Sequence, residues 1–398
     1  MKPTEYLEKL RGGSVSRELP FSLDEYHERV SKVRKVMGHQ GFDALLIFQP
    51  ANIHYLTGYT TFSVGETCIL VLPLEGDPAL HVGATEIPAA LMSGWIDDVH
   101  PYNWNELEQI GPGLTSTLKE KGLESKRIGL ELERGGYVLG LHQELEMALP
   151  GITFVDASSL IQGVKVVKSS TELEYMRRAG AMTWAGIEAS YAAIRPGVTD
   201  TEVARAAHDG IMGAGSDFLC GNPIVNSGER SSWHHATHRR VPINVGDTVF
   251  MEYSGCYERY NAPMMRTAVV GPPSDDVKRI SEAVKETVSL VIDGAKAGRT
   301  SHDVAAGARR GYESLESEVW YMGVCGYSVG AEFPPGWADC PVKIGEGVDI
   351  VLKPGMTFHL PIMFRVPGKF GVGMSETIAI TETGCEVLTQ QERSLHVV

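Results

Sequence analysis

The chain has 398 residues, of which 43% are hydrophobic and 22% are charged, a composition typical of a soluble globular protein with two or three domains. Its formal net charge of −14 argues against a nucleic-acid-binding protein and against adhesion to anionic membranes, because both partners are negatively charged. No apolar stretch reaches the roughly 18 residues of a membrane-spanning helix, and the charged N-terminus lacks the apolar segment of a secretory signal. The six cysteines have no zinc-ligand spacing, which favours a reduced, cytoplasmic protein.

The first part of the chain alternates helix and strand signals. A capping-box pattern, Ser22 followed by Glu25, predicts the start of a helix that Gly41 ends. The apolar run 42–48 then has the length of a strand. Further strands are expected at 68–73, 79–82, 127–132 and 153–156. The alternation predicts an α/β domain over roughly residues 1–160.

The remainder of the chain contains one pattern twice, about a hundred residues apart. A long helix ends at Gly197 and a short helix begins after Thr199, and the same order recurs at Gly298 and Thr300. Strand and turn signals follow each pair of helices. The sequence therefore predicts an internal duplication of a helix–helix–hairpin unit, with a site between the two halves.

The stretch 246–267 carries an acidic group into an apolar strand. A turn signal opens the apolar run 248–251, Glu252 stands at its end, and a second segment ends at Arg266 and Thr267. This pattern predicts a β-hairpin. Because a buried carboxylate is costly unless it is paired, hydrogen-bonded or used in chemistry, Glu252 is the first candidate functional residue.

These features together resemble the creatinase/aminopeptidase P superfamily, also called M24, over nearly the whole chain. The resemblance implies a creatinase-type α/β N-terminal domain over 1–163 and an α+β pita-bread catalytic domain, with internal duplication, over 164–398. The chain resembles the metal-independent branch of this superfamily and, within that branch, the ectoine hydrolases. The similar segments are 259–267, 326–337 and 354–359.

The metal-ligand positions of the superfamily are mostly lost in this chain. Its metallopeptidases hold two metal ions with two aspartates, one histidine and two glutamates. The resemblance places these five ligands, in that order, at Glu252, at Pro263, at Tyr327, near Pro361 and at Glu376. Proline has no side-chain donor, a tyrosine phenol is a poor ligand at neutral pH, and two carboxylates are too few to fix two metals. We therefore expect no catalytic metal and no other cofactor.

The resemblance implies that a histidine acts as general acid and base. His235 lies twelve residues before Asp247, the spacing of the superfamily's substrate-facing histidine, and His234 or His238 takes its place if the loop is shifted. A histidine has an unperturbed pKa of about 6.5 and exchanges a proton near neutral pH. The alternative interpretation is a solvated, histidine-rich loop.

Glu252 and Glu376 are the two remaining carboxylates, and we expect them to bind a cationic group of the substrate and to orient water. In this interpretation the substrate's own positive charge replaces that of the metals. The alternative is that either carboxylate pairs with a buried arginine such as Arg266, which we otherwise expect to brace the hairpin.

Other polar and aromatic residues are candidates for binding the substrate. Tyr327 is placed to donate a hydrogen bond to a substrate carboxylate or carbonyl, and aromatic side chains are placed to form a wall against a compact cation. The full set of binding candidates is Trp233, His238, Asn261, Tyr327, Trp337 and His359, with Phe333 as a further wall residue. The alternative for each aromatic residue and for His359 is packing in the core.

The leading hypothesis is a metal-independent hydrolase that cleaves a non-peptide C–N bond in a small nitrogenous compound, ectoine first and creatine-like amidines next. The first alternative is a metallo-aminopeptidase or dipeptidase of the Xaa-Pro type. A binding protein without activity and a lyase are further alternatives. The resemblance also implies a homodimer in which residues 59–62 of one subunit contribute to the site of the other.

Overall fold

The computed structural model describes residues 1–13, 15–132, 139–389 and 391–398. The chain divides into two compact units, Met1–Lys165 and Val166–Val398, where the sequence predicted a boundary after residue 163. None of the described helices combines the length and the apolar character that crossing a membrane requires.

The described part of the first unit consists of a mixed sheet and the helices around it. Its helices are α1 (Pro3–Arg11), α2 (Leu23–Gln40), α3 (Pro50–Thr57), α4 (Ile87–Ser93), α5 (Ile110–Glu120), α6 (Leu139–Ala148) and α7 (Leu160–Lys165). Its strands are β1 (Ala44–Ile47), β2 (Ile69–Pro73), β3 (Ala79–Gly83), β4 (Val99–Tyr102), β5 (Arg127–Leu130) and β6 (Thr153–Asp156). The strand order is β4-β3-β2-β1-β5-β6. The predicted α/β class of this domain is confirmed.

Local signals account for the start of this unit. The Ser22 hydroxyl accepts a hydrogen bond from the Glu25 amide at 3.3 Å, which satisfies a free donor at the start of α2. Gly41 ends the helix with a φ of 72°, in the left-handed region that favours glycine. The strand that follows, β1, is buried throughout, as its apolar run predicts.

The second unit contains two sheets, two strand pairs and four long or medium helices among the described residues. The helices are α8 (Ser170–Ala193), α9 (Asp200–Gly213), α10 (Asp275–Gly294) and α11 (Ser301–Ala308). The strands are β7 (Ile224–Ser227), β8 (Thr248–Tyr253), β9 (Cys256–Tyr257), β10 (Tyr260–Asn261), β11 (Met264–Val269), β12 (Val324–Val329), β13 (Ala338–Gly345), β14 (Thr357–His359), β15 (Ile362–Val366), β16 (Phe370–Met374), β17 (Thr377–Ile380), β18 (Cys385–Val387) and β19 (His396–Val397). The sheets are ordered β19-β11-β8-β7 and β13-β12-β14-β17-β18, and β15 pairs with β16 and β9 with β10.

The predicted duplication is confirmed in matching detail. The hydroxyl of Thr199 caps α9, and that of Thr300 caps α11, each by accepting a hydrogen bond from the amide three residues on. Gly197 and Gly298, two residues before each cap, have φ of 87° and 81°. Thr199 forms an isolated β-bridge with Pro242, and Thr300 forms the equivalent bridge with Val351. The two halves therefore use the same helix–turn–helix connection.

The strand pair β15–β16 packs against one face of the β8–β11 ladder. Phe250, Met265 and Met363 form a buried cluster between them. The approach is close at Gly373, where an added Cβ would lie 2.7 Å from the Phe250 ring. Glu252 lies two residues after Phe250 and directly opposite Met265, so its side chain points to this same face.

Candidate active site

Glu252 is a buried carboxylate near the end of β8, and only 7% of the residue is exposed. Burial raises the pKa of its carboxyl to about 7, and the nearby Arg365 guanidinium partly opposes that rise. Within the described part of the chain, its carboxylate makes no hydrogen bond and no ion pair. Glu252 is therefore a carboxyl group that exchanges a proton near neutral pH and is available to a substrate.

Arg365 is a functional candidate that the sequence reasoning missed. It lies on β15 and is 6% exposed, and its guanidinium carbon stands 5.2 Å from the centre of the Trp320 ring. Burial lowers the pKa of the guanidinium to about 10, and the charge of Glu252 opposes this. A single charge inside the apolar run 362–366 is the same signal that pointed to Glu252, and it was available in the sequence.

A hydrogen-bonded chain of side chains lies beside Glu252. Trp337 donates through its indole nitrogen to the Tyr327 hydroxyl at 2.8 Å, and that hydroxyl is 2.8 Å from His359 Nδ1. His359 Nε2 is 2.6 Å from Ser375 Oγ, which also accepts from the Met265 amide. The structure thus brings together three predicted residues, Tyr327, His359 and Trp337, and adds Ser375.

The chain of hydrogen bonds holds Tyr327 in one orientation. Burial lowers the pKa of His359 to about 3, so the ring is neutral and has one donor and one acceptor nitrogen. Burial, reinforced by the charge of Glu252, raises the pKa of the Tyr327 phenol above its usual value. Tyr327 is therefore a neutral phenol close to Glu252, and His359 is its direct neighbour in the hydrogen-bonded chain.

Glu376 is already paired inside the protein. Its residue is fully buried, Arg266 donates to one carboxylate oxygen at 2.8 Å, and Thr389 donates to the other at 2.6 Å. The structure therefore favours the alternative interpretation, in which Glu376 pairs with Arg266, over a free carboxylate that binds substrate. The preceding residue, Ser375, faces Tyr327's hydrogen-bonded chain instead.

Replacing Glu376 is expected to damage stability first. Glu376→Gln leaves the fully buried Arg266 charge without a counter-ion, so the free energy of unfolding should fall by about 3–5 kcal/mol. Urea denaturation measures this, with the exposed Glu382→Gln as the matched control. If the variant has unchanged stability but has lost most of its turnover, Glu376 is a catalytic residue after all.

The histidine-rich loop divides into two environments. The rings of His234 and His235 lie 3.9 Å apart, and His234 contacts Trp320 at 5.6 Å. Partial burial, reinforced by the positive charge of Arg365, lowers the pKa of both, that of His234 to about 4. His238 lies elsewhere, with Nδ1 3.2 Å from the Pro223 carbonyl. His234 and His235 thus lie near Arg365, whereas the contacts of His238 are with the Pro223 carbonyl and not with this group of residues.

Three predicted binding residues make no described contact with Glu252, Arg365 or the hydrogen-bonded chain of Tyr327. Trp233 is 47% exposed and stacks on Arg230, so the expected aromatic wall does not form there. Asn261 is fully buried, and its amide nitrogen donates to the carbonyls of Arg259 and Gly330, whereas its Oδ1 has no hydrogen-bond partner among the described residues. His238 is held by the loop, as described above. Sequence spacing placed these residues near the site, but their side chains are directed elsewhere.

The donor groups do not fit a pair of metal ions. No cluster of three or more His, Cys, Asp or Glu side chains suited to a metal occurs among the described residues. At the positions where the resemblance expects ligands, Pro263 and Pro361 offer no side-chain donor. His359 has both ring nitrogens in hydrogen bonds. Glu252 alone is too little to hold a dinuclear centre.

The second unit contains a helix–hairpin motif twice, and the first hairpin carries a buried carboxylate. These two features are those of the pita-bread class of proteins. The chain belongs to the M24 family: residues 174–382 match the family described as Metallopeptidase family M24, and residues 29–167 match the Creatinase/Prolidase N-terminal domain. The resemblance deduced from the sequence is confirmed, and the chain is a hydrolase of this family.

The individual relatives have different activities. The ectoine hydrolase of Halomonas elongata is 30% identical over 96% of this chain and 100% of its own length. The Xaa-Pro dipeptidase of Pyrococcus furiosus is 26% identical over 92% of this chain and 99% of its own. Among solved structures, recombinant prolidase from Thermococcus sibiricus matches with a TM-score of 0.83, at 23% identity, over 95% of this chain and 100% of that one. That match shows the shared pita-bread fold.

Proposed function

We propose that this protein is a metal-independent hydrolase of a non-peptide C–N bond in a small nitrogenous compound, with ectoine, a cyclic amidine carboxylate, as the leading candidate. The observation that carries the proposal is Glu252. It is a buried carboxyl with a pKa of about 7, and it stands beside Tyr327 where a metallopeptidase of the superfamily would hold metals. The 30% identity with an ectoine hydrolase supports the choice of substrate.

The proposed reaction uses the two groups that exchange protons. A water molecule gives one proton to ionised Glu252 while its oxygen bonds to the amidine carbon. The bond from that carbon to one ring nitrogen then breaks. That nitrogen receives two protons by way of His235, one from the new hydroxyl group on the carbon and one from Glu252, which returns to its ionised state. An amidinium and one water thus become an amide and an ammonium group. A carboxyl with a pKa near the working pH is well suited to this first transfer.

Tyr327 has a positioning role in this proposal. Its hydroxyl accepts a hydrogen bond from Trp337, and in the proposed tautomer His359 Nδ1 also donates to it, so the phenol keeps its own proton to donate near Glu252. A donor that is already oriented stabilises negative charge as it develops on the attacking oxygen, without any cost for reorganisation. The neutral state of His359 keeps this chain of hydrogen bonds intact across the neutral pH range.

The test is hydrolysis of a panel of compatible solutes, guanidino compounds and Xaa-Pro dipeptides, followed by product mass. We expect ring opening of ectoine, at a rate that EDTA does not change, because the site lacks the donors for two metals. The competing Xaa-Pro peptidase activity has its own signature. Release of proline that EDTA abolishes and Mn²⁺ or Co²⁺ restores would overturn the proposal.

A further inference from the structure

Arg365 brings a buried positive charge into the site without a hydrogen-bond partner for its Nε within the described residues. The residue is 6% exposed, and its backbone is fixed by hydrogen bonds in both directions with Trp320. A buried donor that lacks a partner costs free energy, and a buried charge costs more. A bound anion would therefore stabilise this guanidinium, by accepting its hydrogen bonds and compensating its buried charge.

The strand geometry directs Arg365 toward Glu252. Alternate residues of a strand share a face, so Arg365 lies on the same side of β15 as Met363. Met363 packs on Phe250 and Met265, and Met265 lies directly opposite Glu252 in the ladder. Each charge also influences the pKa of the other, as expected for groups that face a common space.

The two opposite charges do not neutralise each other directly. Arg365 and Glu252 make no ion pair within the described part of the chain, although both are buried. Two facing charges of opposite sign that remain apart are complementary to a molecule with one anionic and one cationic end. A guanidinium matches a carboxylate with two parallel hydrogen bonds, and a carboxylate matches an amidinium in the same way.

We propose that Arg365 is the receptor for the carboxylate of a zwitterionic substrate, whose cationic end faces Glu252. This inference rests on the proposed C–N hydrolase function and narrows its substrates to amidines or amides that carry a carboxylate. It keeps the expectation that the substrate's own positive charge faces the remaining carboxylate, Glu252. It adds a second positive charge, supplied by the chain itself through Arg365, which binds the negative end of the substrate.

The kinetic test compares ectoine with its carboxamide, which lacks the negative charge. Arg365→Gln should raise KM for ectoine roughly 10- to 100-fold, because the variant loses a charge-assisted hydrogen bond to the substrate carboxylate. KM for the carboxamide should change little. Arg365→Lys keeps the charge but not the paired geometry, so an intermediate rise is expected. Arg309→Gln, an exposed arginine of the same unit, is the control. An equal effect on both compounds, or no effect on either, overturns the proposal.

A second measurement separates this inference from the proposed function. Acetate serves as a minimal carboxylate probe, and the pKa of Glu252 is read by NMR of labelled carboxyl carbons. In the wild-type protein, acetate bound at Arg365 should raise that pKa, because it adds negative charge beside Glu252. In Arg365→Gln, or in Arg365→Lys to a smaller degree, the rise should shrink.

The outcomes are distinct. If neither ectoine nor its carboxamide is hydrolysed, the hydrolase proposal fails for this substrate class, and the acetate titration still decides the role of Arg365. No acetate-induced change in the wild-type protein overturns the carboxylate receptor. If Arg365→Gln does not fold, Arg365→Lys carries both measurements, because it keeps the charge that the fold contains.

Discussion

Glu252→Gln is expected to lower kcat for C–N hydrolysis by about 10²- to 10⁴-fold, the usual contribution of a general base. The amide is nearly the same size as the carboxylate but accepts no proton from water. Steady-state kinetics on the substrate found in the panel measures the loss. Glu382→Gln, an exposed glutamate of the same unit, is the matched control and should keep wild-type kcat.

From the raised pKa of Glu252 we also expect both activity and stability to depend on pH, each with a defined sign. The proposed mechanism requires ionised Glu252, so kcat/KM should rise with pH through about 7. Stability should change in the opposite direction. Because folding raises this pKa from 4.5 to about 7, the folded state binds the extra proton between those values, and the free energy of unfolding falls as pH rises across that window. Glu252→Gln should remove both slopes, and wild-type turnover in that variant would exclude Glu252 as the base.

His235→Ala is expected to lower kcat by about 10²- to 10⁴-fold while the fold remains intact. His235 is an exposed residue; partial desolvation of its ring, reinforced by the positive charge of Arg365, lowers its pKa, so the ring is neutral at pH 7. A neutral imidazole both accepts and donates a proton, as a shuttle must. Circular dichroism and thermal unfolding check the fold alongside the kinetics.

The neighbouring histidines serve as controls for this prediction. His238→Ala should have little effect on kcat, because its Nδ1 contacts the Pro223 carbonyl rather than the site. His234→Ala is the discriminating variant, since its ring lies 3.9 Å from that of His235 and near the same arginine. If His234→Ala abolishes turnover and His235→Ala does not, the shuttle is His234, and the loop is shifted by one residue relative to the superfamily.

Local sequence signals predicted most of the fold. The caps at Ser22, Thr199 and Thr300 and the left-handed Gly197 and Gly298 occur where the sequence placed them. Each depends on the preference of one residue for one backbone conformation, or on a hydrogen bond within three residues. The duplication followed from the repeat of these signals.

The candidate site was predictable in part. Glu252 was found because an acid in an apolar strand is a local signal, and Tyr327, His359 and Trp337 because they belong to segments that resemble a known branch. Arg365 carries the same local signal in the run 362–366. Its meaning depends on its closeness to Glu252, more than a hundred residues earlier, which no local pattern contains.

By itself, the sequence predicted an α/β first domain, an internal duplication and an acid in an apolar strand at Glu252. Its resemblance to a known superfamily added the pita-bread architecture and implied that Pro263 and Pro361 stand at metal-ligand positions. Only the tertiary structure decided which charges meet. Adjacent residues on an extended segment point to opposite sides, so a one-residue step separates Ser375, which joins the hydrogen bonds of the site, from Glu376, which pairs with Arg266. Whether two charged side chains face or pair with each other depends on contacts between strands that are distant in sequence, and those contacts exist only once the chain is folded.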